Sequence, residues 1–185
     1  MSEGPTHVAI ARARAGAVRG TAAAQGTMPT PTPGPGIVRA VRAVLATIPD
    51  PELPVVSITD LGMVGDVRLE PSGAIRVELL PTWVGCPALD LVRDAVVDRT
   101  TAATDLPIEV TWVHRPPWTT ARITAAGRAA LTAAGIAVAD DLAAIHCPFC
   151  GSDRVVMDSA FGPTRCRSLQ YCRACRQPFE AIKPV

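Results

Sequence analysis

No stretch of this chain is apolar for anything near the length that crosses a bilayer, and the N-terminus lacks the compact apolar block of a secretory signal. Together these absences point to a cytoplasmic protein with reduced thiols. Arg12, Arg14 and Arg19 lie in an Ala-rich, nearly acid-free start that superficially resembles a transit peptide, but the amphipathic run such peptides need is missing. An excess of charge of one sign is missing too. Eighteen Lys and Arg stand against 17 Asp and Glu, a formal net charge of +1, so no broad basic surface offers itself to nucleic-acid phosphates or an anionic membrane. There is no Glu-x-x-His pair to build a diiron carboxylate bundle and no Gly-rich dinucleotide fingerprint. Those absences argue against an oxygenase or an electron-transfer subunit. No internal repeat is visible.

Residues 1–36 are rich in Ala, Gly, Pro and Thr and end in a Pro-Gly run, a composition that cannot bury enough apolar area to offset chain entropy. This segment is expected to be disordered, with Met28 an alternative translation start. From Ile37 the pattern changes: Ile37, Val41, Val44, Leu45 and Ile48 recur at helical spacing, with Arg39 and Arg42 on the opposite side. Two period-2 segments follow, over 63–70 and 75–79, joined by Pro71-Ser72-Gly73, which suits a hairpin turn. Pro87, placed to open a helix, precedes Leu89, Val92 and Val96 on one helical face. A third strand is expected over 108–114. An Ala-rich helix over 124–134 then ends at Gly135, suited to a left-handed cap. The order α-β-β-α-β-α predicts an α+β domain over 37–136, a linker over 137–145 and a small C-terminal unit over 146–185.

That last unit carries four of the six cysteines as two CxxC pairs, Cys147-Pro148-Phe149-Cys150 and Cys172-Arg173-Ala174-Cys175, with 21 residues between them. Two residues between cysteines let a tight knuckle aim both thiolates at one point, and two knuckles supply a tetrahedron. The spacing fits a zinc ribbon with short strands over 154–157 and 179–182; paired disulfides, a redox CxxC or an iron-sulfur cluster are the alternatives. So few residues surround the site that a bound metal would contribute most of its folding free energy. His146, beside Cys147, is read as incidental.

Two loops of the α+β domain gather polar or reactive residues: Asp50, Glu52, Ser57 and Asp60 in one, Thr82 through Pro87 in the other. Cys86 is expected at a helix N-terminus, where backbone N–H groups and the helix dipole would lower its pKa and favour soft metals. The plain alternative is a small buried apolar side chain. His114 and Trp112, two apart on one strand face, are read as packing residues.

The stretch from Asp50 to Val64, followed by Thr82 to Pro87, resembles the SufT-like iron-sulfur assembly domain. With Trp118-Thr119-Thr120, Cys147 to Ser152, Phe161 to Cys166 and Cys172 to Phe179 added, residues 37–185 resemble the PaaD family. Its members are the D components encoded with the bacterial ring-1,2-phenylacetyl-CoA epoxidase of phenylacetate degradation. The resemblance implies a SufT-like domain followed by a zinc-ribbon β-hairpin unit. It further implies a non-catalytic accessory subunit that matures or delivers an iron or iron-sulfur centre to the epoxidase. Its partners would be epoxidase subunits or iron-sulfur assembly proteins, and its own oligomeric state is open, a homo-oligomer included. Carried over by position, Cys86 would handle iron or a transient cluster, with Asp50, Glu52 and Thr82 lining its pocket. Structural zinc would sit on Cys147, Cys150, Cys172 and Cys175, leaving Cys166 an auxiliary thiol or an apolar packing residue. The chain departs from the family at Ala121, where an Asp is usual, and at Pro184, where a Cys is usual.

Two other functions compete with that one. The first is a non-catalytic adaptor that holds monooxygenase subunits together. The second is nucleic-acid binding through Arg154, Arg165, Arg167, Arg173 and Arg176 with Tyr171 and Phe179, which the near-neutral chain disfavours.

Overall fold

Residues 35–184 are described by the computed structural model of the chain. The alternative start at Met28 and all but the last two residues of the expected disordered segment lie outside the described residues. Pro35 and Gly36, the two that remain, open the first helix, α1 (Pro35–Leu45); proline's fixed φ suits a first helical turn, where its missing N–H costs nothing. Ile37, Val41 and Leu45 are buried on one face of α1, Arg39 and Arg42 are exposed on the other, and Ile48 is buried just past its end.

β1 (Val64–Leu69) and β2 (Ile75–Leu79) pair antiparallel. Their connection is closed by the Gly73 N–H donating to the Glu70 carbonyl at 2.9 Å, with Gly73 at φ +85°. β3 (Ile108–Trp112) pairs parallel with β2, giving the order β1-β2-β3. A parallel neighbour needs a crossover, and α2 (Leu89–Thr104) provides it, burying Val92, Val96 and Thr100 at successive turns. α3 (Ala125–Ala133) is capped by the Thr124 side chain, which accepts the Gly127 N–H, and stops at Gly135 with φ +78°. The α-β-β-α-β-α order read from the sequence is therefore present, and the fold is α+β.

Asp60 and Gly62 hold the end of this domain to its beginning. Thr124 donates its N–H to the Asp60 carbonyl at 2.9 Å and its hydroxyl to Asp60 Oδ1 at 2.7 Å. Arg122 Nε donates to the Gly62 carbonyl at 2.8 Å. Gly62 has φ +73°, and a Cβ there would clash with the Arg122 carbonyl oxygen. Gly62→Ala is expected to destabilise the protein by about 3 kcal/mol or more. Urea unfolding with a midpoint close to wild type would contradict that.

A second sheet of order β4-β7-β6-β5 is formed by β4 (Ile136–Ala137), β5 (Val155–Ser159), β6 (Arg167–Cys172) and β7 (Pro178–Ile182). β4 pairs parallel with β7, and the other neighbours are antiparallel. The sequence pattern predicts strands over 154–157 and 179–182; it does not predict the central strand β6. That strand hides polar side chains at buried positions, satisfying them internally: Gln170 Nε2 donates to Ser168 Oγ at 2.9 Å, and Ser168 Oγ to the Ala181 carbonyl at 3.4 Å.

Two apolar clusters result. The larger joins α1, the first sheet, Val92, Val96, Trp118 and Leu131; the smaller gathers Ala137, Ala139, Ile145, Cys147, Cys172, Phe179 and Ala181. β7 serves both, because successive strand residues face opposite ways. Phe179 and Ala181 enter the smaller cluster and Ile182 the larger. Ala137, Ala139 and Ile145, from the stretch expected as a linker, are buried in the smaller cluster. No helix among the described residues is long and apolar enough to cross a membrane.

Candidate metal sites

The two CxxC segments fold into knuckles of the same construction. In the first, the Cys147 N–H donates to the Ser152 carbonyl and the Gly151 N–H to the Cys147 carbonyl; in the second, the Cys172 N–H donates to Gln177 and the Arg176 N–H to Cys172. Gly151 (φ +72°) and Arg176 (φ +61°) occupy matching positions with left-handed backbone, a conformation glycine adopts freely and arginine at a cost. Peptide N–H groups point at the sulfurs. Those of Cys175 and Ala174 donate to Cys172 and hold its thiol down to about 6, as hydrogen bonds to a charged form do. The N–H groups of Ser152 and Gln177 pull on Cys150 and Cys175 in the same sense but do not prevail: both thiols are raised, Cys175 by burial to about 12.

The four sulfurs lie within 4.8 Å of one another, with Cys147 to Cys175 and Cys150 to Cys172, both across the two knuckles, at 3.6 Å. All six cysteines are free. Zinc–sulfur bonds of about 2.3 Å give a tetrahedron with edges of about 3.8 Å, so the donor set fits a tetrahedrally bound thiophilic cation. His146 turns Nδ1 to the Ala144 carbonyl at 2.9 Å and is not in the cluster.

Cys166 is not part of that cluster: it is buried, with its sulfur 3.2 Å from Thr164 Oγ1. Cys86 follows a turn in which its N–H donates to the Trp83 carbonyl, with Gly85 at φ +81°. α2 begins at Leu89, three residues on, so Pro87 precedes the helix rather than opening it. The lowered thiol pKa expected of a helix N-terminus is not found. Burial, with the Glu52 carboxylate beside it, pushes Cys86 up to about 11, because both disfavour the thiolate. The thiol donates to Glu52 Oε2 at 3.4 Å.

Asp50 sets up that contact. It is buried, and its Oδ1 accepts the N–H groups of Glu52 and Leu53 at 2.9 and 2.8 Å, closing the Pro51 turn that presents Glu52. Burial raises its carboxyl above the usual range, against the pull of those two donors. Thr82 lines a separate cavity of about 300 Å³ with Trp83, Val84, His114 and Trp118. Trp118 is itself structural, its indole N–H donating to the Leu61 carbonyl at 2.8 Å. Trp112 packs against the larger cluster, whereas His114, expected to pack beside it, is exposed.

Arg167 is the residue whose placement the sequence reading misses. Counted there among surface arginines, it is buried and paired with Glu180. Its guanidinium also donates to Thr164 Oγ1 at 2.8 Å and to the Glu52 carbonyl at 3.5 Å. It thereby ties the Glu52 loop to the segment carrying Cys166. With Phe179 also buried, two members of the supposed nucleic-acid patch are withdrawn from the surface.

Residues 39–113 match the family model described as an iron-sulfur cluster assembly protein, and residues 133–183 match the PaaD zinc beta ribbon domain. The chain is 35% identical over 161 residues to an Escherichia coli (strain K12) protein named as the putative D component of 1,2-phenylacetyl-CoA epoxidase, covering 83% of this chain and 97% of that one. It is 36% identical over 83 residues to the "Fe-S protein maturation auxiliary factor YitW" of Bacillus subtilis (strain 168), covering 43% of this chain and 78% of the other. A crystal structure of a DUF59 domain of unknown function from Bacillus anthracis is similar at 28% identity and a TM-score of 0.49, over 52% of this chain and 92% of that one. With both family models matched in order, and identity running almost the full length of the Escherichia coli relative, the chain belongs to the PaaD family of phenylacetyl-CoA epoxidase D components.

Proposed function

We propose that this protein is an accessory factor of a ring-1,2-phenylacetyl-CoA epoxidase that carries iron, or an iron-sulfur centre, to the enzyme through Cys86. The carrying observation is the Cys86 thiol set 3.4 Å from Glu52 Oε2, two residues brought together across 34 positions of sequence and backed by the Asp50-capped turn. A half-buried thiol against a carboxylate supplies one soft and one hard donor, with the carboxylate also placed to relay to solvent the proton the thiol sheds when it binds. Assembly proteins and epoxidase subunits would be its partners, as the names of its relatives suggest.

Cys147, Cys150, Cys172 and Cys175 are assigned to a structural zinc, which would supply folding energy and no redox chemistry. The assembly unit is taken as 37–136 and the ribbon as 146–185. Val84 and Phe161, both large, apolar and exposed, give a client something to dock on. The same two residues are what favours the adaptor reading, in which the protein only holds subunits together.

Metal and acid-labile sulfide in anaerobically purified wild type and Cys86→Ser separate the two. Zinc at one per chain in both, with iron lost in the variant, is the expected result. Iron that stays with Cys86→Ser would refute a cargo role for this thiol.

A further inference from the structure

We propose that Lys183 and Arg167, at one end of the β6–β7 ladder, are the positioning residues through which the ribbon holds the Cys86–Glu52 pair together. This rests on the reading of Cys86 given above and deepens it, by naming what governs access to that thiol.

The ladder has two working ends. At one, Cys172 closes β6 and belongs to the four-sulfur cluster. At the other, Arg167 opens β6 opposite Ile182, the last residue of β7, and Lys183 follows directly. Pairing runs without a register shift from Arg167 with Ile182 to Tyr171 with Pro178, so the knuckle end fixes where Arg167 and Lys183 are presented.

Lys183 fastens one arm of the pair. Its N–H donates to the Cys166 carbonyl at 2.9 Å and its Nζ to the Arg165 carbonyl at 2.9 Å. So held, the ammonium lies 4.9 Å from the centre of the Phe161 ring and 5.0 Å from that of Trp83, both within reach of a cation–π contact. Phe161 belongs to the ribbon. Trp83 belongs to the Cys86 loop, and its carbonyl accepts the Cys86 N–H at 3.2 Å. Arg167 fastens the other arm: paired with Glu180 and bonded to Thr164, it donates to the Glu52 carbonyl at 3.5 Å. The thiol–carboxylate contact at 3.4 Å joins the two arms.

A lysine that only solvates a surface carries its charge out into water. Lys183 turns its charge over two rings instead, one from each family-matched region. Without that hold the Cys86 loop opens more often by local fluctuation, and the thiol leaves the carboxylate that faces it. The clamp thereby keeps the thiol half-buried until the loop is released.

Alkylation of Cys86 by iodoacetamide, read by peptide mass spectrometry on the zinc-loaded full chain without oxygen, tests this. Arg167 is buried with its partner, so the test falls on Lys183. Lys183→Met keeps the apolar stem and the backbone bond to Cys166 but drops the charge. Cys86 in this variant is expected to react about fivefold or more faster than in wild type. Lys183→Arg, which keeps a cation at the rings, should restore the slow rate. Trp83→Leu should match Lys183→Met, and the two combined should add nothing further, because both remove one contact. Unmodified Cys147 and Cys172, with zinc still bound, confirm an intact ribbon in each variant, and Trp83→Leu decides the matter if Lys183→Met does not fold. A wild-type rate in Lys183→Met and Trp83→Leu, rates that multiply in the double variant, or a fast Lys183→Arg would overturn the clamp while leaving Cys86 as the cargo thiol. Iron that stays with Cys86→Ser would remove the cargo reading and leave the clamp standing, since alkylation involves no iron.

Discussion

Stripping metal from the four-cysteine cluster with a strong chelator should unfold the second sheet. The cluster's own apolar support is seven residues, and two of these are the cysteines Cys147 and Cys172. Zinc in such sites contributes about 10 kcal/mol or more of apparent free energy, comparable with the whole stability of an ordinary domain, so nothing in that small core can replace it. Without the knuckles, the pairing of Val155 with Cys172 loses its anchor. The loss would be felt beyond the ribbon, because Ile182 packs in the larger cluster. Withdrawing it forfeits about 2 kcal/mol of burial, or about 10 °C in the melting of a domain of this size. The expected result is fast amide exchange across β5–β7 together with a cooperative but earlier melt of the remaining α+β domain. Protection in β5–β7 that survives complete metal removal would show that the sheet stands without a metal. Cys172→Ser should behave as the chelated protein does, since Cys172 is both a donor in the cluster and a fully buried member of its core.

The molecule divides into parts whose sequence pattern is local and parts whose logic is not. α1 is legible because Ile37, Val41 and Leu45 repeat at helical spacing, and the knuckles because CxxC carries its geometry within four residues. Gly135 announces the end of α3 by cap chemistry alone. β6 is not legible. Arg167, Ser168 and Gln170 look like solvent-facing residues, and only their partners Glu180, Ala181 and each other make them tolerable inside. Cys86 is legible as a residue of interest, but not its protonation, which is set by burial and a carboxylate 34 residues away rather than by the helix beside it. Cys166 reads as a thiol too many for the ribbon. That the next residue, Arg167, reaches the Glu52 carbonyl follows from the way β6 runs, and no short window of sequence holds that information.

Replacing Cys86 by serine should leave the protein folded and the epoxidase it serves inactive. Cys86 is half-buried and outside both apolar clusters, and the contact it gives up is one thiol–carboxylate hydrogen bond at 3.4 Å. Serine can donate to the same carboxylate, so the stability change should stay within about 1 kcal/mol. A serine hydroxyl, however, is not an effective ligand for a soft metal at neutral pH. Epoxidase produced alongside the variant is therefore expected to show background activity with normal amounts of each subunit, and to recover when iron and sulfide are supplied chemically. Glu52→Gln keeps the shape of the loop and the backbone bonds from Asp50, but removes the charge that would relay the thiol proton to solvent and face the metal. It should be intermediate, weaker on the order of 10- to 100-fold in metal transfer. Full epoxidase activity beside Cys86→Ser, with activity lost beside Cys172→Ser, would reverse the assignment. The ribbon would then be the working part and the protein an adaptor, since an adaptor needs exposed apolar residues such as Val84 and Phe161 and has no use for the Cys86 thiol.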